Sequence, residues 1–376
     1  MRRCSQEFCL PAVDEIPVLR QYTPADRQRA FQFIGEALPP DAGSRLLAQW
    51  NWRESGPFTH PLGPAVYLLL HNGELAGFGA GYRVKVAMGG TICDAEALGN
   101  WLVHPKMRGR NLWGRAQMGQ PVMRTIPSQL LFGWSRLPAR VPRRVGARGS
   151  SLIPLIRILD AGPVLAHFAA NRLARPFIER IGSTMTAAVR TATVPFRRRS
   201  HPGDGRIVQM KAFDERVDAL WERARRPTKA TVIRESRYLN WRYCQRPDAS
   251  YLLYGFEQAN RLDGFLVARR TMYRGMPWGY LVDFLAPEDS PEVLPALIEE
   301  AVDALRRLGA AAVVTYTTDA AAIAALRKRR FFYAPKKYSM GFGVVFAENA
   351  TQEIRNFKRA GSWYLTMGDG DLELSE

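Results

Sequence analysis

Residues Trp101 to Leu112, WLVHPKMRGRNL, place an apolar run, a proline and a basic glycine turn in an order suited to holding a pyrophosphate. Trp101-Leu102-Val103 reads as the end of a strand, because Pro105 donates no ladder hydrogen bond and stops it. The turn Lys106-Met107-Arg108-Gly109-Arg110-Asn111 follows, and helix-forming residues from Leu112 to about Met123 run up to the breaker at Ile126-Pro127. Strand, tight turn and helix in that order aim free N–H groups and the positive end of the helix dipole at one point. Such a point favours a phosphate. The chemically inert alternative is a solvated strand-to-helix connection.

The segment VHPKMRGRNL resembles the acyl-CoA-binding motif of the GNAT superfamily, Val-x-Pro-x-x-Arg-Gly-x-Gly/Ala-Leu. Two positions depart from it: Lys106 stands where Gln or Arg is preferred, and Asn111 where Gly or Ala is preferred. Asn accepts left-handed backbone angles better than other non-glycine residues. The resemblance implies acetyl-CoA or another acyl-CoA as co-substrate, with no metal. It also implies that Trp101, Leu102 and Val103 run along the pantetheine arm, while Arg108, Gly109, Arg110, Asn111 and Leu112 line the pyrophosphate.

Acyl transfer to an amine needs a base to take a proton and donors for the developing oxyanion. The resemblance points to a carboxylate on the central strand, Glu96, with Asp94 on the same face by the two-residue period as reserve. The family's general acid is often a tyrosine after the fifth strand, but Ser135 to Gly149 contains none, so Ser135 is the candidate there. His104 belongs to the strand-end motif and is expected to face solvent. No Gly-x-Ser-x-Gly elbow, P-loop or dinucleotide fingerprint is present.

The 376 residues suggest two domains, and 47% hydrophobic with 11% aromatic residues fit a folded chain. No window has the apolar length of a membrane span, and MRRCSQEFCLPAVDE lacks a signal-peptide core, so a cytoplasmic protein is expected. Cys4, Cys9, Cys93 and Cys244 show no metal-ligand spacing. The net charge of +18 falls in patches: Arg136, Arg140, Arg143, Arg144 and Arg148; Arg197 to Arg199; Arg223, Arg225 and Arg226; and Arg327 to Arg330. No nucleic-acid module surrounds them, so nucleic acid is not the expected partner. An anionic substrate, a membrane surface or a merely arginine-rich composition all remain open.

The elements that must position the site read as α/β. A helix from Pro24 to Ala37, a second from Ser44 to Trp52, a hairpin turned at Asn72-Gly73 and a long strand from Thr91 to Val103 lead into the basic turn. Leu130 to Trp134 is a further strand. Leu152 to Ile181 is apolar and broken by prolines. It suits a connector between domains, and its basic amphipathic character also suits a membrane surface. A second copy follows: a strand at Ile207 to Met210, helices at Glu215 to Ala224 and Arg237 to Tyr243, strands at Tyr251 to Phe256, Phe265 to Met272 and Trp278 to Leu285, and a turn at Arg261 to Gly264. A helix from Val293 to Leu308, a strand from Ala312 to Tyr316 and a helix capped by Asp319 complete it. The fold class is therefore two tandem GNAT-like domains, each a mixed, mostly antiparallel sheet flanked by helices. The expected boundaries are 16–160, a helical and basic linker at 161–203, 204–347, and an extension at 348–376.

In the second copy the turn is Ala286-Pro287-Glu288-Asp289-Ser290-Pro291-Glu292, acidic and without glycine, which repels a pyrophosphate. One CoA site per chain is expected, with the second copy covering the substrate cleft. RYLNWRY with Pro247 and Tyr251, and the closing WYLTMGDGDLE, resemble tandem GNAT proteins of bacterial surface-polysaccharide and exosortase-linked genes. Asp369 and Asp371 have too few companions for a metal site and are expected in a solvated tail. The leading expectation is an acyl-CoA-dependent N-acyltransferase, an acetyltransferase foremost, acting on an amine of a small molecule or amino sugar, as monomer or homodimer. The alternatives are an aminoacyl-transferring relative of peptidoglycan-bridging enzymes, or a non-catalytic protein that binds an anionic polymer or membrane.

Overall fold

The computed structural model of the chain describes residues 16–58, 64–119, 130–135, 148–169, 175–193, 205–273 and 275–370. Strand β1 (Val18–Gln21) leads through a 3-10 turn at Pro24–Asp26 into helix α1 (Arg27–Ala37), which buries Ala30, Phe33, Ile34 and Ala37. Proline in a first turn sacrifices no hydrogen bond. Asp26 locks the entry by pairing with Arg20 and accepting from the Thr23 N–H, and the Arg20 guanidinium holds its carboxyl well below the usual range. Helix α2 (Pro40–Glu54) follows, then the hairpin of β2 (Val66–His71) and β3 (Glu74–Met88), then β4 (Thr91–Val103), α3 (Leu112–Gly119) and β5 (Leu130–Ser135). Asn72 and Gly73 both take positive φ, 50° and 74°, the backbone that a tight hairpin turn demands.

Strands β6 (Arg148–Leu152) and β7 (Leu155–Ile158) precede a helical hairpin, α4 (Ala161–Phe168) and α5 (Arg175–Thr193). The second copy opens with β8 (Arg206–Met210), α6 (Glu215–Ala224), the short β9 (Ala230–Val232) and α7 (Ser236–Leu239), which widens into a π turn at Asn240–Cys244. It continues with β10 (Leu252–Gln258), β11 (Arg261–Tyr273), β12 (Met276–Leu285), α8 (Val293–Arg307), β13 (Ala312–Thr315) and α9 (Ala320–Lys328). Strands β14 (Phe332–Tyr333) and β15 (Met340–Phe346) follow, then a single helical turn, α10 (Gln352–Arg355).

The described residues form two sheets, with strand orders β1-β2-β3-β4-β5-β15-β6 and β8-β10-β11-β12-β13-β7-β14; β9 adds to β3. Each is antiparallel except for one central parallel pair, β4 with β5 and β12 with β13. The copies exchange a strand. β15, late in the chain, lies between β5 and β6 of the first sheet, and β7, early in the chain, lies between β13 and β14 of the second. The boundaries expected at 160 and 347 therefore cut across both sheets: residues 155–158 build the second sheet and residues 340–346 build the first. Side-chain periodicity reports that a strand is half-buried; it carries no information on which sheet takes it.

A common core fuses the copies. Val84 and Phe132 of the first sheet, Phe265 and Tyr280 of the second, and Trp363 of the C-terminal segment belong to one buried cluster. At its centre Trp52 and Trp241 stack with ring centroids 4.3 Å apart, and each indole N–H donates to the other's carbonyl at 2.7 and 2.9 Å. Both tryptophans sit in the same triplet, Asn51-Trp52-Arg53 and Asn240-Trp241-Arg242. That repeat is the sequence trace of the pseudo-twofold relation between the copies.

One turn is relocated. The β10–β11 hairpin turns at Ala259 and Asn260, with φ of 49° and 62°, instead of at Arg261 to Gly264. Gly264 serves the strand interior: a β-carbon there would stand 2.5 Å from Val293 Cγ1 on α8. It marks close helix-on-sheet packing, the other use of a strand glycine.

Candidate functional site

The parallel ladder between β4 and β5 begins at Ala95–Leu130 and stops at Leu98–Gly133, while β4 runs on to Val103 and β5 to Ser135. The two central strands therefore splay from Leu98 onward. Where they part, the β3–β4 register skips one residue: Ala80 faces Asn100 and Gly81 faces Leu98, so Gly99 forms a bulge. The bulge reverses the alternation of faces. Ala95 and Ala97 pack on the core shared with α2, and Glu96 lies on the α3 face; beyond the bulge Leu102 packs toward α1 and α2 and Val103 toward α3. His104 donates its N–H to the Ala76 carbonyl on β3, so by ladder alternation the N–H and C=O of Val103 point away from β3 into the splay.

The turn after β4 divides into a satisfied half and a free half. Lys106 N–H donates to Nδ1 of His104, Met107 N–H to the His104 carbonyl and Arg108 N–H to the Pro105 carbonyl. The N–H groups of Gly109, Arg110, Asn111 and Leu112 have no partner among the described residues. Gly109 and Asn111 take φ of +85° and +52° with Arg110 between them, and such alternation curls successive N–H groups into a concave nest for an anion. The space above the bend is open, since a β-carbon on Gly109 meets nothing within 4 Å. Leu112 is buried and, with Ala116, pins α3 against Leu69 and Ala76. Lys106, Arg108 and Arg110 stand exposed around the bend, and Arg108 Nε donates to the Val103 carbonyl at 3.3 Å, tying the turn to the strand end.

The residues expected to do proton chemistry lie elsewhere. Glu96 is fully buried; one oxygen pairs with Arg83 at 3.1 Å and the other accepts from the Tyr67 hydroxyl at 2.6 Å. Burial first, then the Glu96 charge, pushes the Tyr67 phenol far above its ordinary range, which keeps it a donor. Glu96 is thus sealed on the α3 face of the sheet, and contact with an incoming amine is corrected to an internal ion pair. Asp94 is exposed and pairs with Lys85 at 3.1 Å, at the hairpin end of β4 and roughly 30 Å of strand from Val103. Ser135 ends β5 opposite Gly341 of β15; its side chain and that of Trp101 lie outside the described residues. His104 is half-buried, not solvent-facing: its ring meets Phe33 edge-on at 5.7 Å. Arg136, Arg140, Arg143, Arg144, Arg197 to Arg199 and Asp371 also lie outside the described residues. Among those described, no cluster of three or more His, Cys, Asp or Glu is arranged for a metal, and Cys93 and Cys244 are free thiols.

The same junction in the second copy is closed. The β12–β13 ladder stops at Tyr280–Val314 and a bulge follows at Val282, but the chain's own C-terminal segment enters the gap. Thr317 and Thr366 form a bridge, Thr318 N–H donates to the Leu365 carbonyl at 3.2 Å, and the Tyr364 hydroxyl donates to the Phe284 carbonyl at 2.6 Å. Buried Arg234 then clamps the segment. It donates to Asp283 on β12 at 3.0 Å and to both oxygens of Asp369 at 2.9 Å. Burial works against its charge, yet the two carboxylates carry its pKa well above the ordinary value. The expected solvated tail is therefore corrected at Asp369, which is 2% exposed. In the following turn the Ser290 and Val293 N–H groups are bonded within the turn, no residue from 286 to 292 has positive φ, and Glu288 pairs with Arg226. Sequence reasoning missed this plug because its partners, Ala230, Thr318 and Asp283, are remote along the chain.

No protein-family model matches the chain, and no curated protein matches it by sequence. Solved structures do match. Saccharomyces cerevisiae N-myristoyltransferase with bound myristoyl-CoA superposes with a TM-score of 0.57 at 13% identity, covering 90% of this chain and 80% of that one. A conserved protein of unknown function from Enterococcus faecalis V583, described as a probable N-acyltransferase, gives a TM-score of 0.54 at 11% identity over 91% and 74%. At such identities the likeness establishes the fold: a tandem, mixed α/β GNAT-like architecture over most of the chain.

Proposed function

We propose that the chain is an acyl-CoA-dependent N-acyltransferase with one CoA site, in its first copy, moving an acyl group, acetyl foremost, onto an amine of a small molecule or amino sugar. The observation that carries the reading is the continuity of the splayed end of β4 with four N–H groups around Gly109 that have no partner among the described residues. A strand edge without a ladder partner accepts an amide-bearing arm, and a nest of N–H groups accepts a diphosphate. The residues fit such a molecule, since the bend is open and ringed by Lys106, Arg108 and Arg110.

When bound, the thioester supplies an activated acyl carbonyl. The chain's own contribution is placement. Val103 orients the arm through its backbone, the bulge at Gly99 turns backbone groups toward the apex of the splay, where donors stabilise developing negative charge, and the fused core holds both strands at fixed separation. With Glu96 held by Arg83 and Tyr67, proton removal is assigned to water. The fold's appearance in an N-myristoyltransferase and a probable N-acyltransferase supports the reaction class, and the acceptor stays at the level of an amine.

Thermal denaturation with acetyl-CoA tests the reading. The melting temperature should rise with ligand concentration, and Gly109→Val should abolish the rise, because a β-branched residue resists the φ of +85° that forms the nest; the strain is confined to an exposed turn, so the unliganded protein should stay folded with a modestly lower melting temperature. No rise at about 1 mM acetyl-CoA, or a rise unchanged in the variant, overturns it.

A further inference from the structure

The edge of the second sheet and the helical hairpin packed on it carry exposed apolar and basic residues that the acyltransferase reading does not use. Phe332 on the edge strand β14 lies directly opposite Ile156 of β7, so their side chains share a face, and Ile158 shares it by the two-residue period. That is the face covered by α4, since Ile156 packs with Val164. On the adjoining hairpin α5 is held close to α4: a β-carbon on Gly162 would lie 2.1 Å from the Glu179 carbonyl, and one on Gly182 would lie 2.7 Å from the Gly162 Cα. The opposite side of α5 presents Phe177, Ile181 and Met185, one per turn. With Leu165, Ile158 and Phe332, these apolar residues are between 41% and 69% exposed.

The charge around this surface is mostly positive. From Ala320 to Ala347 there is no acidic residue, and Arg327, Lys328, Arg330 and Lys336 are exposed and pair with no carboxylate among the described residues. On α5, Arg180 is exposed next to Ile181, and Glu179 is the one acid of the helix. An apolar helix stripe, an aromatic strand edge and exposed cations beside them match the boundary between anionic headgroups and acyl chains.

We propose that the α4–α5 hairpin and the β7–β14 edge form a docking surface for an anionic lipid bilayer, with Phe177, Ile181 and Met185 inserted at the headgroup boundary and the arginines and lysines on lipid phosphates. The chain lies on the membrane without crossing it, in keeping with the lack of any described helix long and apolar enough to span.

Co-sedimentation of the full chain with phosphatidylglycerol–phosphatidylcholine vesicles, against phosphatidylcholine alone, provides the test. Binding should require the anionic lipid and fall steeply at about 0.5 M salt. The double variant Phe177→Asp, Met185→Asp changes only exposed positions and should keep its melting temperature while losing about tenfold or more in vesicle affinity. The milder pair Phe177→Ser, Met185→Ser covers any loss of folding in the first. Lys328→Glu with Lys336→Glu should weaken the preference for anionic lipid. The proposal is overturned if wild-type protein stays in the supernatant with anionic vesicles, or if folded stripe variants bind as well as wild type. It is equally overturned if the chain is a dimer that the stripe variants convert to monomer without any vesicle binding, since a second copy then covers the surface.

Discussion

At the scale of single residues, Asn111 and Asp369 carry the sharpest consequences. Asn111 occupies left-handed backbone with φ of +52°, which glycine adopts without strain and without a side chain beside the phosphate position. Asn111→Gly should change stability by no more than about 1 kcal/mol and preserve or enlarge the thermal shift with acetyl-CoA. A lost shift would show that the Asn side chain itself holds the ligand. Burial raises Asp369 to about 6 against the pull of Arg234, with neighbouring Asp283 adding to the rise. A carboxyl with a folded value above its ordinary 3.8 favours folding while protonated. Its contribution is complete below about 3.8, fades as pH climbs through about 6 and is flat above that. Denaturant titrations from pH 4 to 7 should show this decline in wild type and a shallower one in Asp369→Asn; identical slopes would remove Asp369 from the pH response. The Asp26 carboxyl, depressed by Arg20, works in the other direction and only at the acid end, losing its contribution as pH falls below its ordinary value.

Among the elements, the exchanged strands matter most. β15 supplies the partner that β5 and β6 both need, and its Val344 is buried in the common core. A first-copy fragment ending at 160 leaves two unpaired strand edges and an uncovered apolar face, so it should not fold by itself. Circular dichroism and proteolysis of that fragment check this, and a cooperative thermal transition from it would contradict the exchange. Val344→Asp places an unpaired charge in the core and should cost about 3–5 kcal/mol in urea denaturation, although it lies far along the chain from the sheet it disrupts.

For the molecule as a whole, a shared core joins the copies, while the closed second junction leaves them unequal in structure. Trp52→Ala removes a ring stacked on Trp241 and one of two reciprocal hydrogen bonds. It should cost about 3–5 kcal/mol and lower one calorimetric peak. Two separating peaks would mean that the copies unfold independently. Isothermal titration with acetyl-CoA should give close to one site per chain, because Trp363 to Asp369 fill the second splay. A stoichiometry near two would require that plug to leave.

Local physics made a good part of this protein legible in the sequence. Pro105 ended β4, Gly109 and Asn111 marked the left-handed bend, Asn72-Gly73 turned the first hairpin and Asp319 capped α9, each through steric or hydrogen-bonding preferences that act within a few residues. The acidic turn of the second copy was visible for the same reason. Only the tertiary structure decided that β7 and β15 change sheets, that Glu96 is an internal partner of Arg83 and Tyr67, and that the C-terminal segment closes the second junction around Arg234. These outcomes depend on pairings between residues far apart along the chain. Periodicity sets which face of a strand is buried, whereas the partner is chosen by the packing of the whole core.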